Sequence, residues 1–228
     1  MSTKANPSST ILITAATGSL GSALVRALTA LYPGRFKLLL TCRNTEDARA
    51  AALHDSLDLG SADFFLEKLD LSNLQSIKWF TESVKSRVSK GDLPSFKGGG
   101  IVNCAAYLNF SPGAKIQQEI YSTNTLGPTL LIRELLPSLT AGGHVTVINI
   151  GTSAHSSGRL DHFHRVGEMS ALEGPLGYGS SKLLLMMITY AFQSKVYAVR
   201  LHVPSHGAKV GRWTDELNST ILKPLSNS

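Results

Sequence analysis

Tyr178-Gly179-Ser180-Ser181-Lys182 sets a phenol and an ammonium four residues apart, which on a helix puts both on one face, a turn apart. A tyrosine with the ordinary pKa of about 10 is a poor acid–base catalyst at neutral pH. A cation held about 4 Å away at an effective dielectric of about 20 stabilises the phenolate by ~4 kcal/mol, enough to bring the phenol toward working pH. The pair is therefore a candidate acid–base device. Surface helices often carry the same spacing, so its weight depends on what else the chain contains.

The second chemical signal is near the start. An apolar run leads into Thr14-Ala15-Ala16-Thr17-Gly18-Ser19-Leu20-Gly21 and then into a helix-spaced segment. Glycines here remove side chains where a backbone must approach a pyrophosphate and where helix meets strand. A helix N-terminus offers free N–H groups and a positive dipole end to phosphates. A tight strand–helix turn without a ligand can carry two glycines as well; the strand–glycines–helix context favours a dinucleotide site. Its candidate binding residues are Thr17, Gly18, Leu20 and Gly21. The next strand ends in Thr41-Cys42-Arg43-Asn44, with no acid at its end and Arg43 immediately after. An acid there would accept from a ribose 2′-hydroxyl, whereas an Arg fork suits a 2′-phosphate. The expected cofactor is NADP(H).

Both signals need elements to position them. Residues 11–15 form a short strand, and Leu20, Ala23, Leu24, Ala27, Leu28 and Leu31 a helix stripe ended by Pro33 and Gly34. Strands are expected at 37–42, 63–69, 100–105, 144–150 and 196–203. Between them fall a helix at 45–58 capped by Thr45, and one capped by Asn73 or Ser72 with the stripe Leu74, Ile77, Phe80, Val84 and Val88. A helix at 114–138 is expected to kink at Gly127-Pro128, and another runs over 178–193 after a long loop, Gly151 to Gly177. Strands joined by crossover helices imply a parallel sheet with helices on both faces. A loop as long as 151–177 in such a fold is usually functional or disordered.

Composition limits the alternatives. With 228 residues, 43% hydrophobic and 17% charged, the chain is neither disordered, collagen-like nor a mini-protein. No apolar run approaches the ~20 residues of a membrane-spanning helix, and the Leu183–Met187 run reads as a buried helix. The polar N-terminus does not look like a secretory signal, and a cytoplasmic location is expected. The net charge of +6 is dispersed, with no run that suggests nucleic acid. Cys42 and Cys104 make neither a disulfide framework nor a metal spacing. His155, His162 and His164 lie near Asp161 without a strong third ligand, so no metal is expected. Trp79, Phe80, Phe64 and Phe65 are read as core.

Taken together these motifs resemble the short-chain dehydrogenase/reductase family over residues 8–204. Thr14 to Gly21 is similar to the family's Thr-Gly-x-x-x-Gly-x-Gly, with altered spacing and Ala15 at the first Gly. Leu69-Asp70-Leu71-Ser72 resembles the end of strand three, which implies that Asp70 contacts adenine. Asn103-Cys104-Ala105-Ala106 resembles Asn-Asn-Ala-Gly, which implies a cofactor-side role for Asn103. Asn124 resembles the helix Asn that holds a water in the family's proton relay, and Tyr178 and Lys182 resemble the catalytic pair. Arg43, with Ala154-His155 before Gly158-Arg159-Leu160, resembles the retinol dehydrogenase-like branch. The catalytic Ser position falls on Thr152, or on Ser153 if the loop shifts.

The resemblance implies a single doubly wound Rossmann fold, α/β, with a mainly parallel sheet. Its divisions are residues 1–9 as a flexible N-terminus, 10–204 as the NADP(H)-binding oxidoreductase domain, and 205–228 as an abbreviated tail. It implies reduction of a carbonyl, or oxidation of a secondary alcohol, on a lipophilic small molecule, with Tyr178, Lys182, Thr152 and Asn124 as catalytic residues and with Tyr178 and Lys182 binding the cofactor as well. The alternatives are a catalytically weak or inactive NADP(H)-binding sensor or partner module, and a truncated enzyme. A homo-oligomer is compatible with the sequence, but the short tail argues against it.

Overall fold

Six apolar runs become the six strands of one parallel sheet in the computed structural model, which describes residues 7–59, 62–109, 111, 113–140, 145–164, 174–195 and 199–202. The chain runs β1 (Ser9–Thr14), α1 (Ser19–Leu31), β2 (Phe36–Cys42), α2 (Ala48–Leu59), β3 (Phe64–Lys68), α3 (Leu74–Lys90) and β4 (Gly100–Asn103). It continues with α4 (Ala114–Tyr121), a π-helical segment (Ser122–Leu126), α5 (Gly127–Thr140) and β5 (Val145–Asn149). A 3₁₀ turn (Ser153–Ser157), α6 (Asp161–His164), α7 (Gly174–Lys195) and β6 (Val199–His202) complete it. The strand order is β3-β2-β1-β4-β5-β6. This is the expected doubly wound Rossmann order, which reverses between β1 and β4 and opens a crevice at their carboxyl ends.

Side-chain alternation along the strands builds two cores. Leu12, Leu39, Ile101 and Val147 are in register across β1, β2, β4 and β5, and all face the layer of α3 and α5, with Ile77, Phe80, Val84, Leu131 and Leu135. One residue on, Ile13, Leu40, Val102 and Ile148 are in register and face α1 and α2, with Val25, Leu28, Leu53 and Leu57. Burying each such side chain is worth about 1.5–3 kcal/mol, so a one-residue slip of any central strand would exchange the two faces.

Several expectations are corrected. Helix α2 starts later than predicted, and its cap is Asp47 rather than Thr45: the Asp47 Oδ1 accepts from the Ala50 N–H at 2.8 Å. Asn73, not Ser72, caps α3, accepting from the Gln75 and Ser76 N–H groups. Leu74 is 56% exposed and Trp79 66% exposed, so neither belongs to the core. Leu74 opens the first turn of α3, before the helix settles onto the sheet. The kink predicted at Gly127-Pro128 is a π-helical segment just before it. Pro128 has no N–H for a carbonyl four residues back, and the Gly127 N–H bonds instead to the Ser122 carbonyl, five residues back. The long loop carries the 3₁₀ turn and α6, and α7 begins at Gly174, ahead of Tyr178. Helix α7 is not wholly buried, since Met187 and Tyr190 are exposed. No helix among the described residues is long and apolar enough to cross a membrane. The tail at 205–228 lies outside the described residues, as do 165–173 of the long loop.

Candidate active site and nucleotide cleft

A cleft of about 440 Å³ opens where the strand order reverses. Its floor is the first turn, with Thr14, Ala15, Thr17 and Gly18. The end of β2 contributes Thr41, Cys42, Arg43 and Asn44 to one wall, continued by Asp47 and Arg49 at the start of α2. Leu69 and Leu71 after β3, Ala105 to Tyr107 after β4, and Thr123 close it.

The turn is built by its backbone. Ala15 has φ +50, the left-handed conformation that a glycine adopts without cost. The Ala16 N–H bonds to the Thr41 carbonyl at 2.8 Å, and the Gly18 N–H to the Ala15 carbonyl at 2.9 Å. A Cβ on Gly21 would strike the Ala15 carbonyl oxygen and the Ala16 backbone, so α1 can press onto the turn only with a glycine there. No side chain caps α1 at Gly18, which leaves its first-turn N–H groups to an anion.

The expected binding residues divide into two groups. Thr17, Gly18 and Arg43 line the cleft. Leu20, Gly21, Asp70, Asn103, Tyr178 and Lys182 stand outside its lining: Gly21 packs behind Ala15. Asp70 uses its Oδ1 on the Ser72 N–H and hydroxyl. The Asn103 amide donates to the Asn149 Oδ1 at 2.7 Å, and the Asn149 amide donates to the Thr189 hydroxyl at 2.9 Å. A buried polar chain thus ties β4 and β5 to α7. The Asn103 Oδ1 is buried without a partner, an acceptor left for a ligand donor or a water.

The second half of the site is on α7. Lys182 is 2% exposed, and its Nζ donates to the Ile150 carbonyl, just past β5, at 2.9 Å. Burial pulls its pKa down to about 8, opposed by the nearby Cys104. The Cys104 thiol is itself pushed up to about 12 by burial. Tyr178 is half-buried, and loss of solvent raises its phenol above the ordinary value. The expected lowering of the Tyr178 pKa by Lys182 is therefore corrected: burial dominates at the phenol, and the Lys182 ammonium donates to Ile150.

Asn124 lies in the π-helical segment and is fully buried. Its Oδ1 accepts from the Tyr107 N–H at 2.6 Å, and its Nδ2 donates to the Tyr107 carbonyl at 2.9 Å and to the Ser181 hydroxyl at 3.1 Å. The Thr125 hydroxyl donates to the Ser181 carbonyl at 2.7 Å, and the Ser181 hydroxyl to the Tyr178 carbonyl at 2.7 Å. One wall of the cleft, at Tyr107, is thereby fixed to the turn that carries the Tyr–Lys pair.

Thr152 caps the 3₁₀ turn, its Oγ1 accepting from the Ala154 N–H at 3.4 Å. That bond uses a lone pair and leaves the hydroxyl proton to donate. The Thr152 carbonyl is held by the His155 N–H at 3.2 Å and faces the His155 Nδ1 at 2.6 Å. The turn packs backbone to backbone on α7: a Cβ on Gly179 would strike the Ala154 carbonyl, and one on Gly158 the Gly179 carbonyl. Thr152 is thus held against the turn bearing Tyr178, whereas Ser153 is exposed.

Ser181, Tyr107, Asp47 and Arg49 were not singled out from sequence. Ser181 carried a usable signal, since it lies inside the Tyr–Lys turn. Asp47 and Arg49 follow Arg43 at the start of a predicted helix, where side chains reach back over the strand ends.

The family pattern described as short chain dehydrogenase matches residues 9–205. The chain belongs to the short-chain dehydrogenase family. Similar proteins of this family include retinol dehydrogenase 13 of Homo sapiens, 26% identical over 230 residues, covering 96% of this chain and 66% of that protein. The Mus musculus protein of that name is 26% identical over 220 residues, covering 94% of this chain and 64% of the relative. The chain thus spans about two thirds of the length of these relatives. Among solved structures, the NADPH-bound carbonyl reductase from chicken fatty liver has a TM-score of 0.67 at 23% identity, covering 98% of this chain and 89% of that one. A metagenomic short-chain oxidoreductase in complex with NADP has a TM-score of 0.71 at 18% identity, covering 94% of this chain and 92% of that one. These likenesses show the short-chain dehydrogenase fold.

Proposed function

We propose that this chain is an NADP(H)-dependent oxidoreductase that reduces a carbonyl, or oxidises a secondary alcohol, of a lipophilic small molecule. One observation carries the reading. The cleft that ends at Arg43 is tied, through Tyr107, Asn124 and Ser181, to the helical turn bearing Tyr178 and Lys182. A nucleotide site and an acid–base pair thus belong to one rigid unit. The cleft's volume, its uncapped helix N-terminus and its Arg43 fit a dinucleotide. The solved relatives bound to NADPH and NADP support the same reading.

Thr17, Gly18 and Arg43 would hold the nucleotide, which when bound supplies or takes up the hydride. Thr152 donates its hydroxyl proton in a hydrogen bond to the substrate oxygen. Tyr178 donates its phenolic proton to that oxygen as negative charge develops there. Burial keeps the phenol protonated at neutral pH, the state that reduction requires. Lys182, which has ammonium protons beyond the one given to Ile150, would favour the phenolate left after proton transfer once one of them is turned toward Tyr178. Asn124, buried beside the turn that carries Tyr178, would hold a water that returns the proton to Tyr178.

A second reading, a nucleotide-binding module without turnover, draws on the same Tyr178. Its phenol is raised and the Lys182 ammonium is committed to Ile150. NADPH oxidation separates the two, followed by absorbance against quinones, aromatic ketones, retinal-like aldehydes and ketosteroids, with Tyr178→Phe alongside. Turnover that disappears in the variant supports the oxidoreductase. No turnover, with NADPH still raising the melting temperature, moves the assignment to the binding module.

A further inference from the structure

One charge in the cleft is not accounted for by phosphate binding. Asp47 stands in the same lining as Arg43, and an uncompensated carboxylate there repels a phosphate dianion. It cannot swing out freely, because its Oδ1 accepts the Ala50 N–H at 2.8 Å and caps α2. Its other oxygen, Oδ2, lies 3.6 Å from the Arg49 guanidinium. Arg49 also lines the cleft, and its side chain is exposed. A solvent-screened contact of this length is weak and easily exchanged.

Resting on the dinucleotide reading, we propose that Asp47 and Arg49 set the nucleotide preference of this cleft. Arg49 leaves Asp47 to join Arg43 on a 2′-phosphate, and the fixed Asp47 holds back that preference so that unphosphorylated nucleotide is accepted too. The chemistry favours this division. Two guanidinium forks match the oxygens of a phosphate dianion. A carboxylate held at the end of β2 accepts from ribose hydroxyls when no phosphate is present. The Asp47 oxygen that the α2 cap leaves unused is the one that faces Arg49, so the two nucleotides compete for one ion pair.

The test is calorimetric titration of the full chain with 2′,5′-ADP and with 5′-AMP, in wild type, Arg49→Gln and Asp47→Asn. Asparagine keeps the α2 cap, so the second variant preserves the fold; thermal melting of each protein confirms it. Arg49→Gln is expected to weaken 2′,5′-ADP by roughly 3- to 10-fold and leave 5′-AMP within about twofold. Asp47→Asn is expected to strengthen 2′,5′-ADP by roughly the same factor and to weaken 5′-AMP. The effect of Arg49 should shrink with added salt. If wild type binds both nucleotides but their affinity ratio moves less than about twofold in both variants, the ion pair has no such role and the dinucleotide reading stands. If wild type binds neither, the dinucleotide reading falls and this proposal falls with it.

Discussion

Lys182 donates its ammonium proton to the Ile150 carbonyl at 2.9 Å, from a position that is 2% exposed. A buried cation with one main-chain partner is expensive to keep charged, and its pKa is drawn down to about 8. The folded protein therefore binds fewer protons than the unfolded chain between about pH 8 and the ordinary lysine range, and in that window stability contributed by this group rises with pH. Below about pH 8 both states are charged and the full cost is present. Cys104 acts in the opposite sense above about pH 9, because its thiol stays protonated in the fold up to about 12. The two effects oppose each other at higher pH, so the Lys182 signature is confined to about pH 8–9. Lys182→Met should raise the melting temperature at pH 7 by several degrees, a gain of roughly 1–3 kcal/mol, with the gain shrinking toward pH 9. The same variant should lose turnover. Melting curves from pH 6 to 9 check the stability; an unchanged or lowered melting temperature at pH 7 would show that the buried ammonium carries no net cost.

On the proposed mechanism, Tyr178 makes the two directions of the reaction depend on pH in opposite ways. Its phenol is raised by burial, so reduction, which needs the protonated form, should hold across neutral pH. Oxidation, which needs phenolate, should increase as pH rises. Tyr178→Phe should lower turnover in both directions by roughly 10²- to 10⁴-fold, with NADPH binding preserved. Rate profiles from pH 6 to 10 in each direction, with titration of NADPH into the variant, measure this. Parallel loss of binding and turnover would place Tyr178 in nucleotide binding alone.

The sheet was the most legible part of the chain, because each strand combined an apolar run with a break at either end and the two faces of Leu12 and Ile13 follow from strict alternation. The Tyr178–Lys182 pair was legible for the same reason: four residues on a helix define one face. What could not be read depends on contacts distant in sequence. Thr45 and Asp47 are both good capping residues, and the helix starts at Ala48, where the Asp47 Oδ1 meets the Ala50 N–H. The local pattern at Gly127-Pro128 gave a kink, but not that the distortion falls at Asn124, since a π-helical turn depends on which carbonyl finds a donor. At Tyr178 the neighbouring charge is legible in the sequence, whereas the burial of the phenol and the Ile150 carbonyl that takes a proton of the ammonium arise from contacts distant in sequence.

Asn124 makes three side-chain bonds that join Tyr107 to Ser181 inside the protein. Asn124→Ala leaves the Tyr107 N–H and carbonyl without these partners, and a buried unsatisfied group costs about 1–3 kcal/mol. The expected result is a fall of roughly 4–8 °C in melting temperature for a change of this kind, with turnover reduced further than stability alone explains. Ser181→Ala removes one bond of the three and also its own bond to the Tyr178 carbonyl, and should cost about 1–3 kcal/mol. Because both act through one network, the double variant should lose less than the sum of the singles. Additive losses in melting and turnover would mean that the two residues do not work as a unit.

Ala15 and Gly21 meet across the first turn, and their substitutions should act in opposite directions. Ala15 holds φ +50, a left-handed backbone that costs a residue with a side chain about 1–2 kcal/mol. Replacing it with glycine relieves that strain but adds freedom to the unfolded chain worth about 0.4–1 kcal/mol. Ala15→Gly should therefore raise stability by roughly 0.5–1 kcal/mol, and NADPH affinity should stay level or rise as the turn relaxes. At Gly21 a new Cβ meets the Ala15 carbonyl oxygen and the Ala16 backbone, neither of which is a flexible side-chain end. Gly21→Ala must push α1 off the turn, with a loss of more than about 2 kcal/mol and weaker nucleotide binding as the helix N-terminus moves from the cleft. Melting curves with and without NADPH decide both. A destabilised Ala15→Gly would mean that the methyl packs usefully enough to outweigh its backbone strain, and a tolerated Gly21→Ala would mean that α1 does not press on the turn as closely as the Ala15 carbonyl implies.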